Sequence, residues 1–199
     1  INRVTLGLQT MSQVHHDFIG RSGSCPTVNL LKKFCEIKSI VHAVDIIAGI
    51  PGQKTGEFRD ELNRVLECEP EHVSLYMLTC EEGTPLYNRF TPYASWQDEQ
   101  RDIFEEAIHT MKSNGYWHYE ISNFALPGYQ SRHNMKYWKF EPYIGLGPGA
   151  HSFYNGKRWF NKNDVEEYTR HPEAMQVIDT RDDMDKLVEY LLSAIRLID

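Results

Sequence analysis

The amino-acid sequence predicts an α/β fold, a parallel sheet with helices packed against it. Two observations carry that expectation. Arg3 to Thr10, Val41 to Ile50 and Val73 to Thr79 are apolar, β-branched runs with almost no polar relief, the texture of strands buried on both faces. The stretches between them carry apolar residues at helical spacing, and a chain that alternates strand with helix in this way builds a parallel sheet.

Taken in order, Arg3 to Thr10 is the opening strand. Val28 to Ile40 follows as a helix with Leu31, Phe34 and Ile37 on one face. After the second strand, Glu57 to Cys68 is a helix with Phe58, Leu62, Val65 and Leu66 spaced likewise. Ser95 to Gly115 is a long amphipathic helix, with Ser95 and Asp98 set as a capping box and Asn114-Gly115 as terminator. A fourth strand is expected from Trp117 to Phe124. Beyond it Pro127, Gly128, Pro142, Gly145, Gly147, Pro148 and Gly149 break up an aromatic-rich stretch, which reads as ordered loop. Asn155-Gly156 suits the left-handed pair of a type I′ hairpin turn. Asn163 and Glu166 then cap a short helix, and Thr180 with Asp183 opens a last one striped by Leu187, Leu191, Ala194 and Ile198.

With 199 residues, 41% of them hydrophobic, the chain can bury one core and a small appended unit. A formal charge of -7 supplies no basic stripe for phosphates, which argues against nucleic acid as a partner. No apolar run reaches the roughly 20 residues of a membrane span, no secretion signal opens the chain, and the expected location is cytoplasmic. Cys25, Cys35, Cys68 and Cys80 are widely spaced and are expected to remain thiols.

The polar residues of interest stand out against this background. Gln9 and Asp45 lie toward the carboxyl ends of apolar strands, where parallel α/β folds place their ligands. A carboxylate within Val44-Asp45-Ile46-Ile47 is costly to bury without a partner. Either it meets a ligand, or neighbouring backbone or Arg21 satisfies it. Gly49-Ile50-Pro51-Gly52-Gln53 follows that strand, as close backbone approach or a tight turn requires. Gly145-Leu146-Gly147-Pro148-Gly149-Ala150 is no nucleotide loop, because Pro148 interrupts it and a hairpin follows. In His133-Asn134-Met135-Lys136-Tyr137-Trp138 an imidazole, two aromatic rings and the cations Arg132 and Lys136 meet in one loop. That set could ligate and flank a haem and meet its propionates, or simply pack as an aromatic loop. His15-His16 read as a helix surface. No HExxH spacing indicates zinc, and no G-x-S-x-G elbow indicates a hydrolase.

Read together, these stretches resemble the radical S-adenosylmethionine (SAM) family of the oxygen-independent coproporphyrinogen III oxidase. The resemblance rests on Asn2-Arg3 leading into Gly7-Leu8-Gln9, on Gly20-Arg21, on Asp45 through Gly52-Gln53, on Glu82-Gly83-Thr84-Pro85 and on Thr180-Arg181-Asp182-Asp183. Tyr119 to Ala125, His133-Asn134-x-x-Tyr137-Trp138 and Gly145 to Ser152 look more like its haem-chaperone, HemW-type branch than the true oxidase. The resemblance implies the second half of a partial (β/α) radical-SAM barrel over residues 1–125. A loop and hairpin follow over 126–163, and the start of a helical carboxyl-terminal domain over 164–199. It also implies that Gln9, Arg21 and Asp45 hold SAM, Asp45 accepting from sugar hydroxyls, and that His133 is a candidate haem ligand. The family's [4Fe–4S] cluster is held by C-x-x-x-C-x-x-C, which does not occur here, so the cluster ligands are expected outside this chain. The implied functions are a haem chaperone delivering to a recipient haemoprotein or, alternatively, an oxidase that decarboxylates the propionates of a porphyrinogen through a 5′-deoxyadenosyl radical.

Overall fold

A computed structural model of the chain describes residues 1–172 and 182–198, together with the backbone of 175–177. The chain divides into two compact units, Ile1–Gln130 and Ser131–Asp199.

The first unit is built on strands β1 (Arg3–Gln9), β2 (Val41–Ala48), β3 (His72–Met77), β4 (Trp117–Glu120) and β5 (Asn123–Ala125). Its helices are α1 (Gln13–Phe18), α2 (Val28–Cys35), α3 (Thr55–Leu66), α4 (Pro85–Arg89) and α5 (Trp96–Ser113). The sheet order is β1-β2-β3-β5-β4, with β1, β2 and β3 parallel and β5 antiparallel to both of its neighbours. The mixed α/β architecture of the expected half-barrel is therefore present as a partial, open sheet.

One face of the sheet carries the core. Leu8, Val44, Ile46, Ala48, Val73, Leu75 and Phe124 cluster there with Leu31 of α2, with Phe58, Leu62, Val65 and Leu66 of α3, and with Ile103, Ala107 and Met111 of α5. Each fully buried aliphatic or aromatic side chain contributes roughly 1.5–3 kcal/mol, so this face is where the sheet is stabilised. The alternate residues point the other way, onto a face free to be polar.

Several local expectations need correction. Trp117 to Phe124 is a hairpin, not one strand: the fully buried Glu120 accepts from the Ser122 amide at 2.9 Å and from the Asn123 side chain, and these bonds reverse the chain. The helix expected to reach Ile40 stops at Cys35, because Ile37 N–H bonds back three residues to Phe34, and Ile37 is exposed. Ser95 forms no capping box with Asp98; its backbone is already helical and its hydroxyl donates to Glu99 instead. The short-helix cap is Asp164 rather than Asn163, its carboxylate accepting from Glu167 N–H at 2.8 Å. His16 faces inward from α1 and is buried.

The second unit opens with α6 (Arg132–Trp138), continues through β6 (His151–Tyr154), β7 (Lys157–Asn161), α7 (Val165–Arg170) and β8 (Met175–Val177), and ends with α8 (Asp183–Ala194). Asn155 and Gly156, at φ 50° and 70°, join β6 to β7 as the I′ pattern requires. β8 adds a third antiparallel strand that the sequence reading missed. Asp182 caps α8, accepting from Asp185 N–H at 2.9 Å; Thr180 and Arg181 lie outside the described residues.

Candidate functional site

The site lies on the sheet face opposite the core, accessible at Gly7, Gln9 and Asp45 and closed over Ser74, Asn123 and Glu120. Gln9 closes β1 in the left-handed region, at φ 64°, where the β1–β2 register slips by one residue. That conformation turns its side chain back over Gly7: a Cβ added there would lie 2.9 Å from Gln9 Nε2. Gly7 is the register partner of Asp45, Asp45 of Ser74, Ser74 of Asn123, and Asn123 of Glu120. Register partners share a face, so a polar row runs from the Gln9 amide across all the strands.

Burial pushes the Asp45 carboxyl above the ordinary carboxylate range, and a hydrogen bond from Ser74 opposes that rise. Of the partners open to Asp45 from the sequence, a ligand, neighbouring backbone or Arg21, Arg21 is not the one it uses. Arg21 is exposed in the turn after α1, and among the described residues no hydrogen bond or ion pair joins its guanidinium to Asp45 or Gln9. The register thus places the Gln9 amide, over Gly7, beside Asp45 in one row, and Arg21 makes no bond to either among these residues.

A second row lies one step toward the amino ends of the parallel strands, where Ala43 pairs with His72 and His72 with Ala125. His72 Nε2 is 2.8 Å from the Tyr119 hydroxyl. Burial, then the charge of Arg3, pushes the His72 imidazole down to about 3, so it is neutral at physiological pH. Its Nδ1 and the Asn123 Oδ1 are buried without a hydrogen-bond partner. Sequence reasoning missed Ser74, His72, Asn123 and Glu120. The period-2 placement of His72 and Ser74 within β3 was the available signal; the other two become visible only once the hairpin brings them alongside.

The loop after β2 is shaped from outside. Gly49 takes φ 72°, and a Cβ there would meet Gln100 Cγ at 2.5 Å. Trp96 Nε1 donates to Gly49 O at 2.9 Å, and Gln53 Oε1 accepts from Gly49 N–H at 2.7 Å. Close approach of α5 is therefore what requires glycine here.

In the second unit, His133 lies on a helix rather than in a loop. Ser131 caps α6 by accepting from Asn134 N–H, which winds Arg132–Trp138 and puts His133 and Tyr137 on one face. The Tyr137 hydroxyl is 3.0 Å from His133 Nε2, with the rings edge to face. Tyr137 packs on Tyr143 at 4.6 Å, while Trp138 is covered by the Arg196 guanidinium at 4.2 Å. His133, Arg132 and Lys136 are exposed. The neighbouring cavity, lined by Tyr137, Trp138, Phe140, Tyr143 and Phe153, has about 170 Å³. That is below the roughly 300–1,000 Å³ of ordinary small-molecule pockets, so a planar macrocycle on His133 would lie against the exposed helix face.

All four cysteines are free thiols. Among the described residues no three His, Cys, Asp or Glu side chains gather as metal ligands, so these cysteines do not fit an iron–sulfur cluster. Among the same residues no helix is long and apolar enough to cross a membrane.

Comparison with known proteins agrees with this architecture. The chain is 34% identical over 177 residues to the heme chaperone HemW of Lactococcus lactis, covering 85% of this chain and 46% of that protein. It is 32% identical over 208 residues to the heme chaperone HemW of Escherichia coli, covering 100% of this chain and 54% of that protein. It is also 32% identical over 157 residues to the mitochondrial radical S-adenosyl methionine domain-containing protein 1 of Bos taurus, covering 76% of this chain and 35% of that protein. The fold matches that of the radical SAM enzyme coproporphyrinogen III oxidase (HemN) of Escherichia coli with a TM-score of 0.76 at 18% identity, over 99% of this chain and 50% of that one. The chain spans about half the length of the bacterial relatives it matches. No family model matches it.

Proposed function

Since the chain belongs to the radical SAM family that contains the HemW haem chaperones, we propose that it supplies part of the SAM-binding face and the haem-binding helix of a haem chaperone. The observation that carries the proposal is the exposed His133 on α6, flanked by Arg132 and Lys136, in a chain 34% identical to a heme chaperone over 177 residues. A neutral imidazole ligates haem iron, and the two cations suit propionates.

The accessible end of the polar row fits SAM. The half-buried Asp45 offers a carboxylate to sugar hydroxyls, the buried Ser74 hydroxyl holds that carboxylate from the next strand, and the Gln9 amide sits over Gly7 in the same row. Arg21, exposed on the turn that follows β1 and α1, is retained in this reading as the cation for a carboxylate. When bound, SAM together with a reduced cluster supplies one-electron radical chemistry. The role of this chain is to bind and orient the cofactor. Free thiols are consistent with the cytoplasmic location included in the proposal. The recipient of the haem is proposed to be a haemoprotein. Likeness to HemN at 18% identity speaks for the fold, and no residue described here favours porphyrinogen decarboxylation over haem binding.

Titration of the full-length protein with ferric haem, followed at the Soret band, tests the proposal. Binding is expected for the native sequence and its loss for His133→Ala. Equal spectra for the two would remove His133 from the site.

A further inference from the structure

We infer that Tyr137 is a latch on His133, an internal competitor that weakens haem binding and favours its release; the inference rests on the haem reading above. The hydroxyl of Tyr137 lies 3.0 Å from His133 Nε2. Nε2 is the imidazole nitrogen remote from the backbone and so the one best able to reach an iron atom above the helix. In one tautomer the Tyr137 O–H donates to Nε2 and occupies its lone pair; in the other Nε2–H donates to the hydroxyl oxygen and Nε2 carries a proton. Neither state leaves Nε2 free to coordinate. Ligation therefore requires this hydrogen bond to break, and its strength is subtracted from the affinity.

The spacing makes the contact intrinsic to the helix. Positions four apart meet on one face, and the Ser131 cap fixes the turn in which His133 lies. Tyr137 also packs against Tyr143, at 4.6 Å, and Tyr143 is fixed by paired backbone hydrogen bonds with Phe153, both of 2.8 Å. The hydroxyl thus waits beside the imidazole and can recapture it as haem leaves. A protein that passes its ligand on benefits from such a device, because recapture of the ligating nitrogen competes with rebinding.

The test uses the full-length protein, ferric haem as probe, and the variants Tyr137→Phe, Tyr137→Leu and His133→Ala. Tyr137→Phe keeps the ring that packs on Tyr143 and removes only the hydroxyl. Loss of a hydrogen bond of ordinary net strength is expected to tighten haem binding by about 2- to 10-fold and to slow release correspondingly. Tyr137→Leu, which also lacks the hydroxyl and cannot ligate iron, should move in the same direction, and neither change should restore binding once His133 is alanine. Unchanged or weaker binding in both Tyr137 variants, with His133→Ala still abolishing it, overturns the latch and leaves the haem site standing. Full binding by His133→Ala overturns both.

Discussion

At the scale of single residues, the polar face of the sheet holds two titrating groups that burial shifts in opposite directions. Asp45 is raised, so its ionisation works against folding: its contribution to stability is present below its unfolded value and is lost as pH rises through the folded one. A polar ligand that hydrogen-bonds the carboxylate relieves that cost, which is the physical case for reading Asp45 as a binding group. His72 behaves in the opposite sense. Held neutral with a folded value of about 3, it contributes stability that is present above its ordinary value of 6.5 and is lost as pH falls toward 3. Below pH 6.5 the loss from this group should approach about 1.4 kcal/mol for each pH unit. Urea unfolding of the full-length protein at pH 7 and pH 4.5 is expected to show the decline, and His72→Gln to flatten it. An unchanged slope in the variant would show that acid acts elsewhere.

At the scale of elements, the β4–β5 hairpin depends on one carboxylate. Glu120 is fully buried, and its Oε1 serves the Ser122 amide and the Asn123 side chain. Glu120→Ala leaves both donors without that acceptor, and a loss of about 1–3 kcal/mol is expected in urea unfolding; a change within experimental error would mean the turn is set by its neighbours. The same hairpin marks how far the sequence could be read. β1, β2 and β3 were legible because apolar runs need no partner to be recognised, and the Asn155-Gly156 turn because its φ values demand those residues. Ile121-Ser122 carries no glycine, proline or asparagine, so the reversal made by the Glu120 side chain left no local signature. α6 was hidden for a related reason: seven residues between proline- and glycine-rich segments form a helix only once Ser131 caps it. Gln9 and Asp45 were legible as polar residues in apolar strands. Ser74 and Asn123 were not, because their significance comes from register between strands distant in sequence.

At the scale of the whole molecule, the first unit divides its labour between the two faces of one sheet. Helices α2, α3 and α5 bury the apolar face, and the row from Gln9 through Asp45 and Ser74 to Asn123 and Glu120 occupies the other. The second unit carries the histidine helix against α8 and has its own sheet of β6, β7 and β8. The polar row of the first unit is proposed to bind SAM at its accessible end, Gln9 and Asp45. Calorimetric titration of the full-length protein with S-adenosylhomocysteine, native against Asp45→Asn, tests it most directly. Binding by the native protein and a loss of about 10- to 100-fold in the variant, the worth of hydrogen bonds to a charged group, is the expected result. Equal affinity in the two proteins would remove Asp45 from the SAM site and return it to a purely structural part.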